Sequence, residues 1–207
     1  MTATGQAFWN RIANRYAARP IKDMAAYEEM LAEVAARLHP HDRVLELGCG
    51  TGGTAIRLGP QVAEWIATDF SDRMLQIARA KAVPPNVRFG LAEAGTAFDG
   101  APFDAICAFN LLHLVPDMPA TLAQIHAALR PGGLLISKTW CFADLRWTLR
   151  LLFPLLRLFG LFPPATALSE PQLRQAIFAA GFTIETQRSF GRSPQSQFIV
   201  ARKPGPP

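Results

Sequence analysis

The chain has 207 residues, half of them hydrophobic, with 21 lysines and arginines against 16 acidic residues and a formal net charge of +5. That length suits one domain with a single substantial core. The first twenty residues contain no apolar run behind a basic start, which argues against a secretory signal. The basic residues are spread along the chain without an interleaved aromatic motif, which argues against a nucleic-acid surface. The cysteines, Cys49, Cys107 and Cys141, are odd in number and have no metal-ligand spacing, so we expect no metal site and reduced thiols in the cytoplasm.

The apolar periodicity predicts strands that alternate with helices. We expect helices over 6–18, 23–38, 52–58, 72–82, from Asp117 to the Pro131-Gly132-Gly133 stop, and 170–180. We expect strands over 43–47, 64–69, 86–89, 103–109, 134–139, 182–189 and 197–202. Such alternation predicts an α/β fold with a mostly parallel sheet that has helices on both faces, and the last two strands can form an antiparallel pair.

The most informative segment is residues 44–53, Val-Leu-Glu-Leu-Gly-Cys-Gly-Thr-Gly-Gly. Its apolar run meets Gly48, Gly50 and Gly52 at alternate positions, which indicates a buried strand running into a turn that a ligand can approach closely. The following helix points its unpaired N–H groups at such a ligand. Glu46 is unusual, because a buried strand carries a carboxylate at its carboxyl end when something must be gripped there.

A second acid ends the next predicted strand. Asp69 lies 17 residues after Gly52 in the segment Glu-Trp-Ile-Ala-Thr-Asp. A carboxylate at that strand end can accept both hydroxyls of a ribose. The two strand ends together therefore predict a nucleoside ligand.

These motifs resemble those of the class I methyltransferases that use S-adenosyl-L-methionine. The glycine motif is Glu-Leu-Gly-Cys-Gly-Thr-Gly over 46–52, and Asp69 matches the ribose acid of the family. Phe-Asp-Ala-Ile over 103–106 and Leu-Arg-Pro-Gly-Gly-Leu-Leu over 129–135 follow in the family's order. The resemblance covers about residues 40 to 140 well. It implies a Rossmann-like, seven-stranded, mostly parallel sheet with an antiparallel C-terminal strand and a helical lid.

The resemblance also implies a set of cofactor-binding residues. Phe70 or Met74 could pack on the adenine, although core packing explains Met74 equally well. Glu93 occupies the position of the acid that holds the adenine amino group, with the Ala94 amide beside it; an exposed glutamate in a turn is the alternative. The full set is Glu46, Gly48, Cys49, Gly50, Gly52, Asp69, Phe70, Met74, Glu93, Ala94, Asn110 and Leu111.

A nicotinamide dinucleotide site is the rival interpretation of the glycines. Gly48, Gly50 and Gly53 also satisfy the G-x-G-x-x-G pattern, which is weak by itself. The carboxylate of Glu46 would lie close to the pyrophosphate of a dinucleotide. S-adenosylmethionine has no phosphate and carries cationic groups, so the acid favours the methyltransferase.

The chemistry requires few catalytic groups. Methyl transfer from a sulfonium needs alignment above all, and a general base only for a weakly acidic acceptor. His113 is the catalytic and acceptor-binding candidate, with a structural role as the alternative. Tyr16 and Tyr27 are acceptor-binding candidates on a helical cap over residues 1–40, although their spacing also fits core packing. The sequence Asn-Leu-Leu-His over 110–113 lacks the prolines and aromatic ring typical of base-amino methyltransferases, which argues against nucleic acid as acceptor.

An apolar insertion follows the fifth predicted strand. Residues 145–162 are almost entirely apolar apart from three arginines near one side of a helical wheel, and they are too short and too charged to span a bilayer. We interpret 141–168 as a lid over an apolar acceptor; a dimer surface and peripheral membrane contact are alternatives. A monomer or a homodimer is expected.

The predicted function is methyl transfer from S-adenosylmethionine to an apolar small molecule by a single domain over 1–207. The acceptor class is a quinone precursor, a lipid or a secondary metabolite, as in ubiquinone and menaquinone methyltransferases. A non-catalytic protein that binds S-adenosylmethionine, and a nicotinamide-dependent oxidoreductase, remain as alternatives.

Overall fold

The computed structural model describes residues 3–145, 163 and 165–205. The predicted insertion over 141–168 lies mostly outside these ranges, and residues 146–162 lie wholly outside them. The described part contains helices α1 (Ala3–Ala17), α2 (Met24–Ala35), α3 (Gly53–Leu58), α4 (Asp72–Arg79), α5 (Met118–Ala128) and α6 (Glu170–Ala179). Its strands are β1 (Arg43–Leu47), β2 (Glu64–Asp69), β3 (Val87–Leu91), β4 (Phe103–Phe109), β5 (Leu129–Trp140), β6 (Thr183–Ser189) and β7 (Ser196–Arg202). No helix in these ranges is long and apolar enough to cross a membrane.

The strands form one sheet in the order β3-β2-β1-β4-β5-β7-β6. The first five are parallel, and β7 runs antiparallel to both β5 and β6. The predicted Rossmann-like architecture is thereby confirmed. The reversed strand β7 lies one position inside the sheet, and β6 forms the edge. The strand order reverses between β1 and β4, which is where ligands bind in doubly wound sheets.

The fifth strand begins earlier than the sequence predicts. Pro131, Gly132 and Gly133 indicate the end of a helix before a strand at 134, but α5 ends at Ala128 and these residues belong to β5. The Gly132 N–H donates to the Lys203 carbonyl, and the Lys203 N–H donates to the Gly133 carbonyl, both at 2.9 Å. Backbone pairing with a segment about seventy residues away therefore extends the strand, and local turn propensity could not indicate it.

Helices α2, α4, α5 and α6 begin where short polar side chains satisfy free N–H groups. The Ser71 hydroxyl accepts from the Met74 N–H, and Asp23 and Asp117 accept at the starts of α2 and α5. Ser169 and Gln172 form a capping box at the start of α6. These caps fix where the connecting loops leave the sheet edge.

Alternating side chains of the strands form one core cluster on each face of the sheet. Leu45 and Leu47 belong to one cluster, with α5 and α6, while Val44 and Ala105 belong to the other, with α2 and α3. Glu46 lies between Leu45 and Leu47 and so projects from the second face. This alternation decides which strand-end side chains can share one site.

Candidate active site

The turn after β1 contains glycine at alternate positions, so few side chains cover its backbone. Gly48, Gly50 and Gly52 have φ angles of +66°, +55° and +74°, which side chains rarely adopt. A Cβ on Gly48 would lie 2.8 Å from Leu111 Cδ1, and one on Gly52 would lie 2.6 Å from Phe89 Cζ. Backbone conformation therefore favours glycine at all three positions, and the packing behind the turn adds to this at Gly48 and Gly52.

Glu46 projects from the end of β1 into a buried position. The residue is 2% exposed, and the Trp65 indole Nε1 donates to its Oε2 at 3.1 Å. The pKa of Glu46 is raised to about 8, mainly by burial; the indole hydrogen bond lowers it and the negative charge of Asp69 raises it. A cationic ligand group beside this carboxylate would favour its ionised form.

Asp69 ends β2 and joins it to the glycine turn. Its carboxylate accepts from the Gly50 N–H through Oδ2 and from the Ser71 N–H through Oδ1, each at 2.8 Å. Burial raises the pKa of Asp69, while the backbone donors lower it. Each carboxylate oxygen has more than one lone pair, so the group can still accept hydroxyls from a ligand.

Helix α1 lies across the end of β2. The Gln6 side-chain amide donates to the Phe70 carbonyl at 2.7 Å, and the Ser71 hydroxyl donates to the Asn10 Oδ1 at 2.5 Å. These contacts hold α1 against the two residues that follow Asp69, which is itself 7% exposed. The predicted ribose site therefore lies next to the N-terminal helix.

A cavity of about 630 Å³ opens beside the glycine turn. It lies between the segment joining α1 to α2 and the carboxyl ends of β1, β4 and β5. Seven of the predicted site residues line it: Tyr16, Tyr27, Glu46, Gly48, Cys49, Gly50 and Asn110. Eight others do not line it: Gly52, Asp69, Phe70, Met74, Glu93, Ala94, Leu111 and His113.

Asn110, at the end of β4, has an unusual backbone conformation. Its φ of +55° is the one positive value outside glycine among residues 3–145, 163 and 165–205. Its N–H donates to the Lys138 carbonyl at 2.6 Å, which holds this turn against β5. Strained backbone of this kind is typical of functional sites. The neighbouring Leu111 does not line the cavity and packs behind Gly48 in the core.

The residues predicted to bind adenine do not line the cavity. Phe70 and Met74 are buried beneath α1 and in α4, and Ala94 is buried in the core. Glu93 lies in the loop after β3. The Ala92 N–H donates to the Asp69 carbonyl at 3.1 Å, so this loop is tied to the end of β2.

His113 lies away from the cavity. It is 5% exposed, its ring meets Phe142 edge-on at 5.2 Å, and its Nδ1 accepts from the Trp140 N–H at 3.4 Å. Burial lowers the pKa of His113 to about 4. This environment fits the structural alternative for the residue and gives no support to the catalytic one.

The two candidate tyrosines both face the glycine turn. Tyr16 Cε1 lies 4.0 Å from the Cβ position of Gly50, and the Tyr27 hydroxyl lies 3.6 Å from that of Gly53. Burial, and then the charge of Asp69, raise the pKa of the Tyr16 hydroxyl. Burial also raises the pKa of Tyr27, while a hydrogen bond with Thr54 lowers it.

Several residues that line the cavity are absent from the set that the sequence predicts. They include Lys138 and Trp140 on β5, Lys81 after α4, and Arg192 and Ser196 near the start of β7. Lys138 could have been found, because a lysine after the apolar run of a buried strand is as unusual as Glu46 in β1. The others come from segments that only the tertiary fold brings to the cavity.

Comparison with known proteins identifies the family. A family model described as a methyltransferase domain matches residues 10–187. The chain therefore belongs to the class I methyltransferases that use S-adenosylmethionine, as the motifs predicted. The side-chain-free turn and the buried carboxylate of Glu46 fit the methionine end of that cofactor.

Individual relatives cover the chain in part. Residues of this chain are 30% identical over 136 positions to a demethylmenaquinone methyltransferase of Symbiobacterium thermophilum, covering 60% of this chain and 54% of the relative. They are 34% identical over 118 positions to highly reducing polyketide synthase 40 of Fusarium mangiferae, covering 53% of this chain and 5% of the relative. The chain thus spans about half, or far less, of these relatives' lengths.

A solved structure shares the fold over nearly the whole chain. The magnesium protoporphyrin IX methyltransferase of Synechocystis PCC 6803, with bound SAH, superposes with a TM-score of 0.69 at 21% identity. The match covers 97% of this chain and 94% of that one. At this identity the similarity concerns the fold alone.

Proposed function

We propose that this protein transfers a methyl group from S-adenosylmethionine to an apolar small-molecule acceptor. The observation that carries the proposal is the position of Glu46, a buried carboxylate on the wall of the cavity directly beside the glycine turn. Burying an acid is costly unless a partner compensates for it, and a cationic amine is such a partner. The proposal extends the family membership to a specific activity for this chain.

The residues of the strand ends would hold the cofactor in three parts. Glu46 and the turn from Gly48 to Gly52, with Cys49, would bind its amino-acid end. Asp69 would bind the ribose hydroxyls, and Asn110 and Leu111 would flank the methionine chain. The adenine residues would be Phe70, Met74, Glu93 and Ala94. When bound, the cofactor supplies an activated methyl group on a cationic sulfur.

The N-terminal helix would control access to the nucleoside part of this site. Gln6 and Asn10 hold α1 against Phe70 and Ser71, the residues that follow the buried Asp69. A ribose that binds the Asp69 carboxylate would therefore be admitted by a shift of α1 away from the end of β2. Tyr16, at the end of α1, would then lie between the cofactor and the cavity.

The chain's own contribution to the reaction would be binding and alignment. Tyr16, Tyr27 and the aromatic wall of the cavity would orient the acceptor and exclude water. Alignment is worth several orders of magnitude in rate for a bimolecular displacement. His113 is 5% exposed and does not line the cavity, so we propose no general base.

The acceptor class follows from the cavity wall and from the relatives. Met30, Phe109, Trp140 and Phe190 give the cavity an apolar side. The relatives named above include a quinone methyltransferase and a polyketide synthase. We therefore propose a quinone precursor, a lipid or a secondary metabolite as acceptor. The three free, buried cysteines support a reducing compartment, and we propose the cytoplasm.

A thermal-shift experiment tests the cofactor. S-adenosylhomocysteine should raise the unfolding temperature, whereas NAD and NADP should not. No shift with S-adenosylhomocysteine would overturn the proposal, and a shift with a dinucleotide would favour an oxidoreductase. Incubation with methyl-labelled S-adenosylmethionine and a metabolite extract then tests turnover. Binding without label transfer would support a non-catalytic protein that binds the cofactor.

A further inference from the structure

The charge of the cavity wall differs from what a purely apolar acceptor requires. Five cationic residues line it, namely Arg19, Lys22, Lys81, Lys138 and Arg192, against two carboxylates, Asp23 and Glu46. Glu46 is assigned to the cofactor in the proposed function. The part of the cavity left for the acceptor is therefore distinctly basic.

Lys138 differs from the other four cations because it projects from the sheet itself. It is half-buried on β5, whereas the others lie in segments outside the sheet. It follows Leu134 and Ile136 in alternation, and both of those belong to the core cluster on the Glu46 face. Lys138 and Glu46 therefore point from the same face of the sheet.

The register fixes the spacing between these two charges. Glu46 pairs with Cys107 of β4, and Cys107 pairs with Ile136 of β5, so Lys138 lies two residues further along and two strands across. Two strand spacings of about 4.8 Å and two residues of rise at about 3.3 Å place the two Cα atoms about 12 Å apart. That separation leaves room for the reacting groups between a cofactor held at Glu46 and an acceptor held at Lys138.

The Lys138 ammonium group has no hydrogen bond or ion pair with the described part of the chain. Burial lowers its pKa, and the charge of Asp23 offsets this in part. Asp23 Oδ1 already accepts from the Ala26 N–H at 3.0 Å as the N-cap of α2. A half-buried cation without a direct partner is costly, and a bound anion would remove that cost.

Ser196 provides an independent observation at the same end of the cavity. It is 3% exposed and pairs with Trp140 across the β5–β7 ladder, two residues beyond Lys138. Its hydroxyl is buried and has no hydrogen-bond partner among the described residues. Two unsatisfied donors, Lys138 and Ser196, thus lie on neighbouring positions of one wall.

We propose that the acceptor carries a carboxylate and that Lys138 binds this group, with Ser196 as an additional donor. This inference rests on the proposed function and narrows its acceptor class to acids with an apolar body. Phe109, Trp140 and Phe190 line the same cavity as Lys138 and would pack on that body. Lys138 is then a positioning residue that sets how the acceptor faces the methyl group.

Matched acid and amide probes test the inference. The probes are benzoate, 2-naphthoate and decanoate, each paired with its carboxamide, titrated calorimetrically into protein saturated with S-adenosylhomocysteine. We expect at least one acid to bind about tenfold or more tightly than its amide, a typical factor for a charge-assisted hydrogen bond. The preference should weaken as salt is added.

Three variants assign the preference to the residue. K138M should abolish it, and K138R should retain most of it. R174M is the control, because Arg174 is an exposed cation on α6 outside the cavity and its loss changes the net charge equally. All three variants should bind S-adenosylhomocysteine like the wild type.

The outcomes separate this inference from the proposed function. Equal binding of every acid and amide, or an acid preference that survives in K138M, overturns the role of Lys138 while S-adenosylhomocysteine still binds. Failure of the wild type to bind S-adenosylhomocysteine overturns the proposed function and the inference with it.

Discussion

The carboxylate of Asp69 accepts a hydrogen bond of 2.8 Å from the Gly50 N–H, so the end of β2 is fastened to the middle of the glycine turn. The same carboxylate accepts from the Ser71 N–H, at the start of α4. One side chain thus orders two of the backbone segments that the proposed cofactor would touch. Its loss should therefore affect binding more than its contact with the ribose alone implies.

Asp69→Asn should weaken the binding of S-adenosylhomocysteine by about 1.5–3 kcal/mol, because charge-assisted hydrogen bonds to ribose and turn become neutral ones. Isothermal titration calorimetry measures the change. Asp72→Asn is the matched control, since Asp72 is exposed in the first turn of α4 and loses the same charge. Equal affinities of the two variants would contradict the ribose assignment.

The buried Glu46 should make stability fall as the pH rises. The folded protein keeps the proton on Glu46 up to a pKa of about 8, whereas the unfolded chain releases it near 4.5. Between these values the folded state binds more protons, so the free energy of unfolding decreases by up to about 1.4 kcal/mol per pH unit. Urea denaturation between pH 6.5 and 8, above the range in which His113 contributes, should show this decline in wild type and a flatter profile in Glu46→Gln.

The affinity for the cofactor should have the opposite pH dependence and increase as the pH rises. A cationic amine beside Glu46 favours the carboxylate, so S-adenosylhomocysteine binding below pH 8 should release part of a proton and should tighten as the pH rises. Calorimetry in buffers of different ionisation enthalpy counts the protons released. Glu46→Gln should release none from this position, and equal release by both proteins would place the titrating group elsewhere.

Several of the predicted site residues that line the cavity, among them Glu46, Gly48 and Asn110, lie at strand ends. The apolar runs fix where β1 and β2 end, and the acids and glycines that follow them are rare in such positions, so the amino-acid pattern alone places Glu46 and the turn. Lys138 is likewise a charged residue after the apolar run of a buried strand, β5. The family resemblance gives no sign of it, because none of the matching motifs contains this lysine.

Other features depend on contacts that leave no periodic trace in the sequence. Gln6 and Asn10 cover the end of β2 through single polar contacts more than sixty residues away along the chain. Likewise, pairing with Lys203 draws Gly132 into β5, although Pro-Gly-Gly ordinarily indicates a turn. Long-range pairing of this kind overrides local propensity.

Because of the packing behind the glycine turn, we expect a single added methyl group to lower the free energy of unfolding substantially. In Gly52→Ala the new Cβ would lie 2.6 Å from the Phe89 ring and 3.0 Å from Ala78 Cβ, and the residue would keep a φ of +74°. We expect a loss of about 3 kcal/mol or more in unfolding free energy, from strain and overpacking together.

Gly132→Ala separates those two causes. Gly132 has a φ of +81°, but nothing lies within 4 Å of its Cβ position. Only backbone strain remains there, so its cost should be about 1–2 kcal/mol. Urea denaturation compares the two variants, and equal losses would show that steric contact with Phe89 is unimportant.

His113 should stabilise the protein only while its ring is neutral. Its pKa is about 4 in the folded protein because the ring is buried, against 6.5 for an ordinary histidine. Between these values the unfolded chain binds the extra proton, so the contribution of His113 to stability is full above pH 6.5 and falls by up to about 3 kcal/mol as the pH drops to 4, opposite in sign to that of Glu46. His113→Asn keeps a hydrogen-bond acceptor near the Trp140 N–H but does not titrate, and its unfolding free energy should vary less over this range. If the variant loses stability but retains wild-type turnover and S-adenosylhomocysteine affinity at pH 7.5, His113 is structural. If wild type and variant have the same pH profile of stability, the result contradicts the burial of His113.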